Sequence, residues 1–280
     1  MASRVESEPS WLEITRGGTP LIVSLPHTGT EIPPELEARF VSPWLARKDA
    51  DWWVDKLYNF ATDLGATVVR TAISRSVIDV NRDPSGASLY PGQATTELCP
   101  TTTFDGEPLY RDGQAPDAAE INARGAAFFN PYHAALTDEI ARLRERHDRV
   151  VLYDAHSIRS RVPRLFDGPL PQFNIGTNGG QTCDLALTAA VEAACDGSSL
   201  SRVTNGRFKG GWTTRRYGQP AQGVHAIQME LACRGYMDDP AEPPTPQTWP
   251  APYRPDQAAP MRAVLSDVLS ACLTFARSPA

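Results

Sequence analysis

The chain has 280 residues, enough for one large or two small domains and for a sizeable core. Hydrophobic residues make up 41% and the formal net charge is -6, which sets aside a disordered chain and leaves no electrostatic footprint for nucleic acid or an anionic membrane surface. No uninterrupted apolar run approaches the roughly 20 residues that cross a bilayer, and the polar start, Met1 to Glu6, has no hydrophobic signal core; the expectation is a cytoplasmic protein without a membrane partner.

The first expected strand is Pro20 to Leu25, a near-continuous apolar run of the kind buried on both faces, with His27 at its exit. Pro33-Pro34 opens a short helix. Asp49 to Leu64 reads as a longer one, with Asp49 and Asp51 in its first turn and Gly65 just past its end. Thr67 to Arg70 and Ser76 to Val80 read as strands. Ser85 to about Pro116 is irregular and proline-rich, and loops of that length are usually functional. Asp117 to about His147 is helical with a kink or break at Pro131. Val150 to Asp154 is a buried strand that delivers His156, and Gln172 to Gly176 is a short strand. Thr182 to Ala194 is a helix, Val224 to Leu231 an alternating strand, and Asp256 to Arg277 the last helix. Alternating strands and helices imply an α/β sheet with helices on both faces. With no repeat and no compositional break, residues 1–280 are expected to form one domain.

The residues that carry chemistry sit at strand ends. His27, in Pro26-His27-Thr28-Gly29, and His156, in Asp154-Ala155-His156-Ser157, can meet at the carboxyl end of an open sheet, where such folds bind ligands. A hydrolytic metal site needs three protein ligands and an open position. The third could be Glu31, Asp49, Asp51 or Asp55; spacing alone does not choose. Glu230, at the end of an apolar strand, is placed to act as general base beside a metal-bound water or to be a surface residue. Arg75, Asn81-Arg82, Arg159, Arg215 and Arg216 are candidate clamps for a substrate carboxylate. His133 is expected to be structural, His147 solvated, and His225 could face the site. Asn205-Gly206-Arg207-Phe208-Lys209-Gly210-Gly211 is either a loop near an anionic ligand or a solvated turn. Five scattered cysteines without a CxxC pair are expected to be reduced and buried, not zinc ligands. There is no Rossmann fingerprint, P-loop lysine motif or GxSxG elbow, and Ser157 cannot form a triad with its neighbour His156 because adjacent strand residues face opposite ways.

At these residues the chain resembles the N-formylglutamate amidohydrolase (N-formylglutamate deformylase) family. The blocks that carry the resemblance run from Ser24-Leu25-Pro26-His27-Thr28-Gly29-Thr30-Glu31-Ile32-Pro33 through Asp49-Ala50-Asp51-Trp52-Trp53-Val54-Asp55 and Ser74-Arg75-Ser76-Val77-Ile78-Asp79-Val80-Asn81-Arg82. They continue with Asp154-Ala155-His156-Ser157-Ile158-Arg159-Ser160, Asn205 to Gly211, and His225-Ala226-Ile227-Gln228-Met229-Glu230. The resemblance implies a mixed central sheet flanked by helices, a phosphorylase/hydrolase-like and zinc-carboxypeptidase-like α/β fold. It implies one divalent metal, zinc, held by His27, His156 and an acid, with Glu230 as catalytic base and an asparagine–arginine pair, Asn81 and Arg82, on a substrate carboxylate. The carboxypeptidase pattern has a ligand Glu three residues after the first His; Thr30 stands there, so Asp51 is the preferred third ligand and Glu31 the second choice. The implied reaction is hydrolysis of N-formyl-L-glutamate to L-glutamate and formate, a step of histidine degradation. Its two substrate carboxylates require cationic partners, for which Arg75, Arg82 and Arg159 are the first choices. The rivals are an amidohydrolase for another N-acylated amino acid and a non-catalytic carboxylate-binding protein of the same fold.

Overall fold

The structure, a computed structural model, describes residues 9–89, 92–240 and 243–278; the polar start, Met1 to Glu6, lies outside the described residues. Its strands are β1 (Leu12–Thr15), β2 (Leu21–Leu25), β3 (Thr67–Thr71), β4 (Val150–Ile158), β5 (Phe173–Gly176), β6 (Arg202–Thr204) and β7 (Val224–Ala232). They lie side by side in the order β1-β3-β2-β4-β7-β5-β6. The central run β3-β2-β4-β7 is parallel, while β1 and β5 pair antiparallel to β3 and β7. The helices are α1 (Pro34–Glu37), α2 (Val54–Leu57), α3 (Ala118–Arg124), α4 (Asn130–Arg144), α5 (Leu185–Asp196), α6 (Trp212–Tyr217) and α7 (Pro255–Arg277). The expected mixed sheet between helices is thus observed.

The period-2 alternation of the central strands separates the two faces. On one face, Leu21, Val23, Val151, Tyr153, Ile227 and Met229 pack against Leu187 and Val191 of α5 and Leu265 and Leu269 of α7. On the other, Ile22, Val150, Leu152 and Ala226 meet Tyr132, Leu136 and Leu143 of α4. Further along the same strands that second face turns polar. Ser24 lies beside Asp154, and His156 lies beside Glu230. The core therefore ends, and the site begins, within the central strands themselves.

Several elements differ from the sequence expectations. No helix spans Asp49 to Leu64: α2 covers four residues and a short 3₁₀ turn follows at Asn59–Thr62. Asp49, Trp52, Trp53, Asn59 and Thr62 are indifferent helix formers, and Trp53 has φ 65°, which no continuous helix accepts. Ser76 to Val80 is not a strand. The Ser74 hydroxyl accepts the Ser76 N–H and Asp79 Oδ1 accepts the Asn81 N–H, so side chains take the donors a ladder would use. Pro131 does not break its helix; a wider π turn at Gly125–Phe129 absorbs the mismatch between α3 and α4. Strand β4 extends to Ile158, which puts His156 inside the strand rather than beyond it. Strands β1 and β6 and helix α6 carry too little apolar pattern to have been expected. Helix α7 is long and apolar enough by composition to cross a membrane, but half of its most apolar window is buried in the core. All five cysteines are free and buried.

Candidate metal centre and active site

His27 follows β2, His156 sits in β4, and Asp51 lies in the irregular segment before α2, where its backbone N–H donates to the His27 carbonyl at 2.9 Å. One potential ligand atom from each of these three buried residues falls within 4.8 Å of the others. The Nδ1 atoms of the two rings are 3.1 Å apart, and Asp51 Oδ2 lies 3.1 Å from His156 Nδ1 and 3.7 Å from His27 Nδ1. Glu31 is exposed, and Asp55 is on α2. Asp49 is buried, but its Oδ2 accepts the Phe104 N–H at 2.7 Å. Of the four acids left open by the sequence, Asp51 alone joins the histidines in this cluster among the described residues.

The far nitrogens of both rings are anchored. His27 Nε2 is 2.7 Å from Asp79 Oδ1 and His156 Nε2 is 3.0 Å from Asp154 Oδ2. A carboxylate only accepts, so a hydrogen on each Nε2 satisfies these contacts and leaves the Nδ1 atoms of the two rings facing each other. Two lone pairs and a carboxylate oxygen, brought this close in a buried site, repel one another unless a proton or a cation lies among them. Burial works against charge on both partners. It is outweighed at His156, where Asp154 and Asp51 hold the pKa well above the ordinary imidazole range, and at Asp51, where His156 and His27 hold it well below the carboxylate range. The donor set, two imidazoles and one carboxylate with carboxylates behind the imidazoles, fits a divalent cation of the zinc kind.

Glu230 is buried next to His156 across the β4–β7 ladder. Burial, reinforced by Asp51 and moderated by His156, pushes its pKa up to about 8. Gln228 Nε2 donates to Glu230 Oε2 at 3.3 Å. His27, His156, Glu230, Arg75, Asn81 and Arg82 line one cleft, with an empty volume of about 600 Å³ out to its mouth. Arg75 donates to Asp79 Oδ2 at 2.6 Å, lies 3.5 Å from Asp51 Oδ1 and stacks on the Phe104 ring. Asn81 is tied into the site's frame: its Nδ2 donates to Asp154 Oδ2 at 3.1 Å and its Oδ1 accepts the Thr213 N–H at 2.7 Å. Arg82 donates to the Thr96 carbonyl and hydroxyl, both at 3.1 Å.

Arg159 is absent from this cleft wall, and its guanidinium binds Asp105 Oδ2 at 2.7 Å. Three residues after His156 along an extended chain is an odd step, and odd steps point to the opposite face. Arg215 and Arg216 also lie outside the cleft wall; Arg215 Nε donates to the Gly210 carbonyl at 3.0 Å. His225, on the α7 side of β7, meets Phe275 and the Asp184 N–H, away from the site. His133 is structural as expected, and His147 bonds the Gly18 carbonyl. Asp79 and Asp154 were given no role from the sequence, and Arg207 was included only as part of the Asn205 to Gly211 segment, expected to be a loop near an anionic ligand or a solvated turn. The i, i+2 spacing of Asp154 and His156, which puts both on one strand face, was the available signal for the first pairing.

A family profile described as N-formylglutamate amidohydrolase matches residues 19–237. The chain is 47% identical over 267 residues to an N-formylglutamate deformylase of Pseudomonas aeruginosa, covering 95% of this chain and 97% of that one. It is 43% identical to an N-formylglutamate deformylase of Pseudomonas putida, covering 94% and 96%. Among solved structures, an N-formylglutamate amidohydrolase from Ralstonia eutropha JMP134 superposes with a TM-score of 0.72 at 22% identity, covering 95% of this chain and 96% of that one. The Agrobacterium tumefaciens gene product Atu2144 does so with a TM-score of 0.70 at 20% identity, over 98% of each. The structural likenesses carry the fold, and the profile and sequence matches carry the kinship: the chain belongs to the N-formylglutamate amidohydrolase family.

Proposed function

We propose that the chain hydrolyses the formyl amide of N-formyl-L-glutamate to L-glutamate and formate, with one zinc ion held by His27, Asp51 and His156. The observation that carries the reading is the pair of facing Nδ1 atoms closed by Asp51, with Glu230 on the neighbouring strand. Held by these three residues, the ion would supply Lewis acidity to the formyl carbonyl and to a water. Asp79 and Asp154 fix the tautomers that aim both Nδ1 atoms inward. Glu230 accepts the proton of the attacking water as the new C–O bond forms, then returns it to the nitrogen as the C–N bond breaks. Its burial favours the protonated state it must reach midway. Arg82, beside Asn81 and the metal ligands, takes the substrate's α-carboxylate, which is attached to the amide-bearing carbon. Arg75, already matched by Asp79 and Asp51, keeps the anionic end of the cleft from repelling a dianionic substrate.

Glu230→Gln tests the assignment. The variant is expected to keep about one metal per chain by elemental analysis and to lose formate release by 100-fold or more, on the order of what general bases contribute. Turnover near the wild-type rate would remove Glu230 from the mechanism. His156→Ala is expected to lose the metal, and full occupancy would remove His156 from the ligand set.

A further inference from the structure

Three guanidinium groups line the cleft, and the third belongs to Arg207, on the loop between β6 and α6. Resting on the reading of the substrate as N-formylglutamate, we propose that Arg207 recognises the substrate's side-chain carboxylate and thereby sets the preference for glutamate over neutral side chains.

The division of labour follows from the substrate's shape and the positions of the three arginines. Arg75 is engaged by two buried carboxylates, Asp79 at 2.6 Å and Asp51 at 3.5 Å. Arg82 follows Asn81, whose Nδ2 is 2.9 Å from His156 Nε2, so it stands at the metal end where the α-carboxylate must be. The side-chain carboxylate hangs on a further two-methylene arm and needs a cation on another wall. Arg207 comes from a separate loop, and two backbone carbonyls orient it: Nε donates to Leu165 O and Nη2 to Ala94 O, each at 2.8 Å. Phe104, Ile158, Leu165 and Phe208 supply an apolar surface in the same cleft, suited to the methylene arm.

The loop is also held in register with the reacting groups. The Gly211 N–H donates to Gln228 Oε1 at 2.7 Å, and Gln228 in turn contacts Glu230. The Thr213 N–H donates to Asn81 Oδ1 at 2.7 Å. Gly211 permits this approach, since a Cβ there would lie 2.4 Å from Asn81 Nδ2. A substrate held by Arg207 is therefore positioned relative to the same framework that carries the base.

The test compares formate release from N-formyl-L-glutamate and N-formyl-L-glutamine by the metal-loaded wild type, Arg207→Gln and Arg207→Lys. Arg207→Gln is expected to lose kcat/KM on N-formylglutamate by about 100-fold, mainly through KM, and on N-formylglutamine by less than about threefold. Arg207→Lys is expected to recover part of the lost discrimination. Equal losses on both substrates would reduce Arg207 to a strut between loops and overturn the proposal, as would an unchanged preference. Should Arg207→Gln fail to fold, Arg207→Lys alone decides: the proposal requires a KM about tenfold higher on N-formylglutamate only, because an ammonium replaces the bidentate fork. A wild type inactive on N-formylglutamate overturns the reaction assignment itself. An active wild type whose preference survives both substitutions overturns the role of Arg207 alone.

Discussion

At the scale of single residues, the site depends on carboxylates that touch no ligand position. Asp154 receives His156 Nε2, the Asn81 amide at 3.1 Å and, on its other oxygen, the Ser24 hydroxyl at 2.8 Å. The Ser24 hydroxyl lies 2.9 Å from that of Tyr132. Asp154→Asn leaves the shape but can present an amide N–H to the imidazole, which permits the wrong tautomer and turns a hydrogen toward the metal position. Metal affinity is expected to weaken by about 10- to 100-fold, as measured by competition with a chromogenic chelator; an unchanged affinity would show that Asp154 does not set the ring. His27, His156 and Glu230 were legible in the sequence because each interrupts or follows an apolar run with a group costly to bury, whereas Asp51 was one of four acids that spacing alone did not separate. The same alternation bears on Arg159: Ser157 was assigned to the face opposite His156 by parity, and Arg159 shares that parity. Arg207 was legible only as part of a loop, because a glycine-rich segment has no periodicity from which to infer which of its residues faces the site.

At the scale of elements, the ladder of β4 and β7 was legible and the segments that cover it were not. Strand runs such as Val150 to Tyr153 declare themselves by composition, whereas Asp49 to Asp51 and Ser74 to Arg82 are shaped by hydrogen bonds to distant partners, including Asp51 N–H to His27 and Asp79 N–H to Leu98. Helix α4 is joined to one of these segments by His133, whose Nε2 donates to the Val80 carbonyl at 2.7 Å. Burial lowers the His133 pKa from 6.5 to about 4. The folded chain thus binds this proton more weakly than the unfolded one. The stability held by the neutral ring is full above pH 6.5 and lost as pH falls toward 4, by at most about 3 kcal/mol and less where solvent reaches the ring. Urea unfolding of wild type and His133→Gln across this window measures it, because other acid-sensitive groups cancel in the difference. The wild-type advantage should shrink from pH 7 to pH 4; a constant gap would mean that His133 contributes packing alone.

At the scale of the whole molecule, the metal position ties together segments that the chain folds separately. His27 leaves β2, Asp51 precedes α2 and His156 belongs to β4, while the carboxylates behind the rings come from the segment after β3 and from β4. Helix α4 touches this corner through the Tyr132 hydroxyl on Ser24, and here Ser24, Asp154, His156, Gln228 and Glu230 replace the apolar residues of the α4 face. Cohesion there comes from polar contacts, and several of these bring like groups together. Removing a bound metal is therefore expected to destabilise the fold as well as stop the reaction. With free metal at about 1,000 times its dissociation constant, the ion contributes about 4 kcal/mol through its preference for the folded state. For a chain of this size that corresponds to a fall in Tm of roughly 10 °C on complete removal. Calorimetry before chelation, after chelation and after reloading with zinc measures the change, with elemental analysis certifying each state. His156→Ala supplies the internal control, since its Tm should be insensitive to both chelator and zinc. A wild-type Tm that stays fixed while the metal is verifiably lost would mean that the protein's own hydrogen bonds hold this corner of the sheet and that the ion serves the chemistry alone.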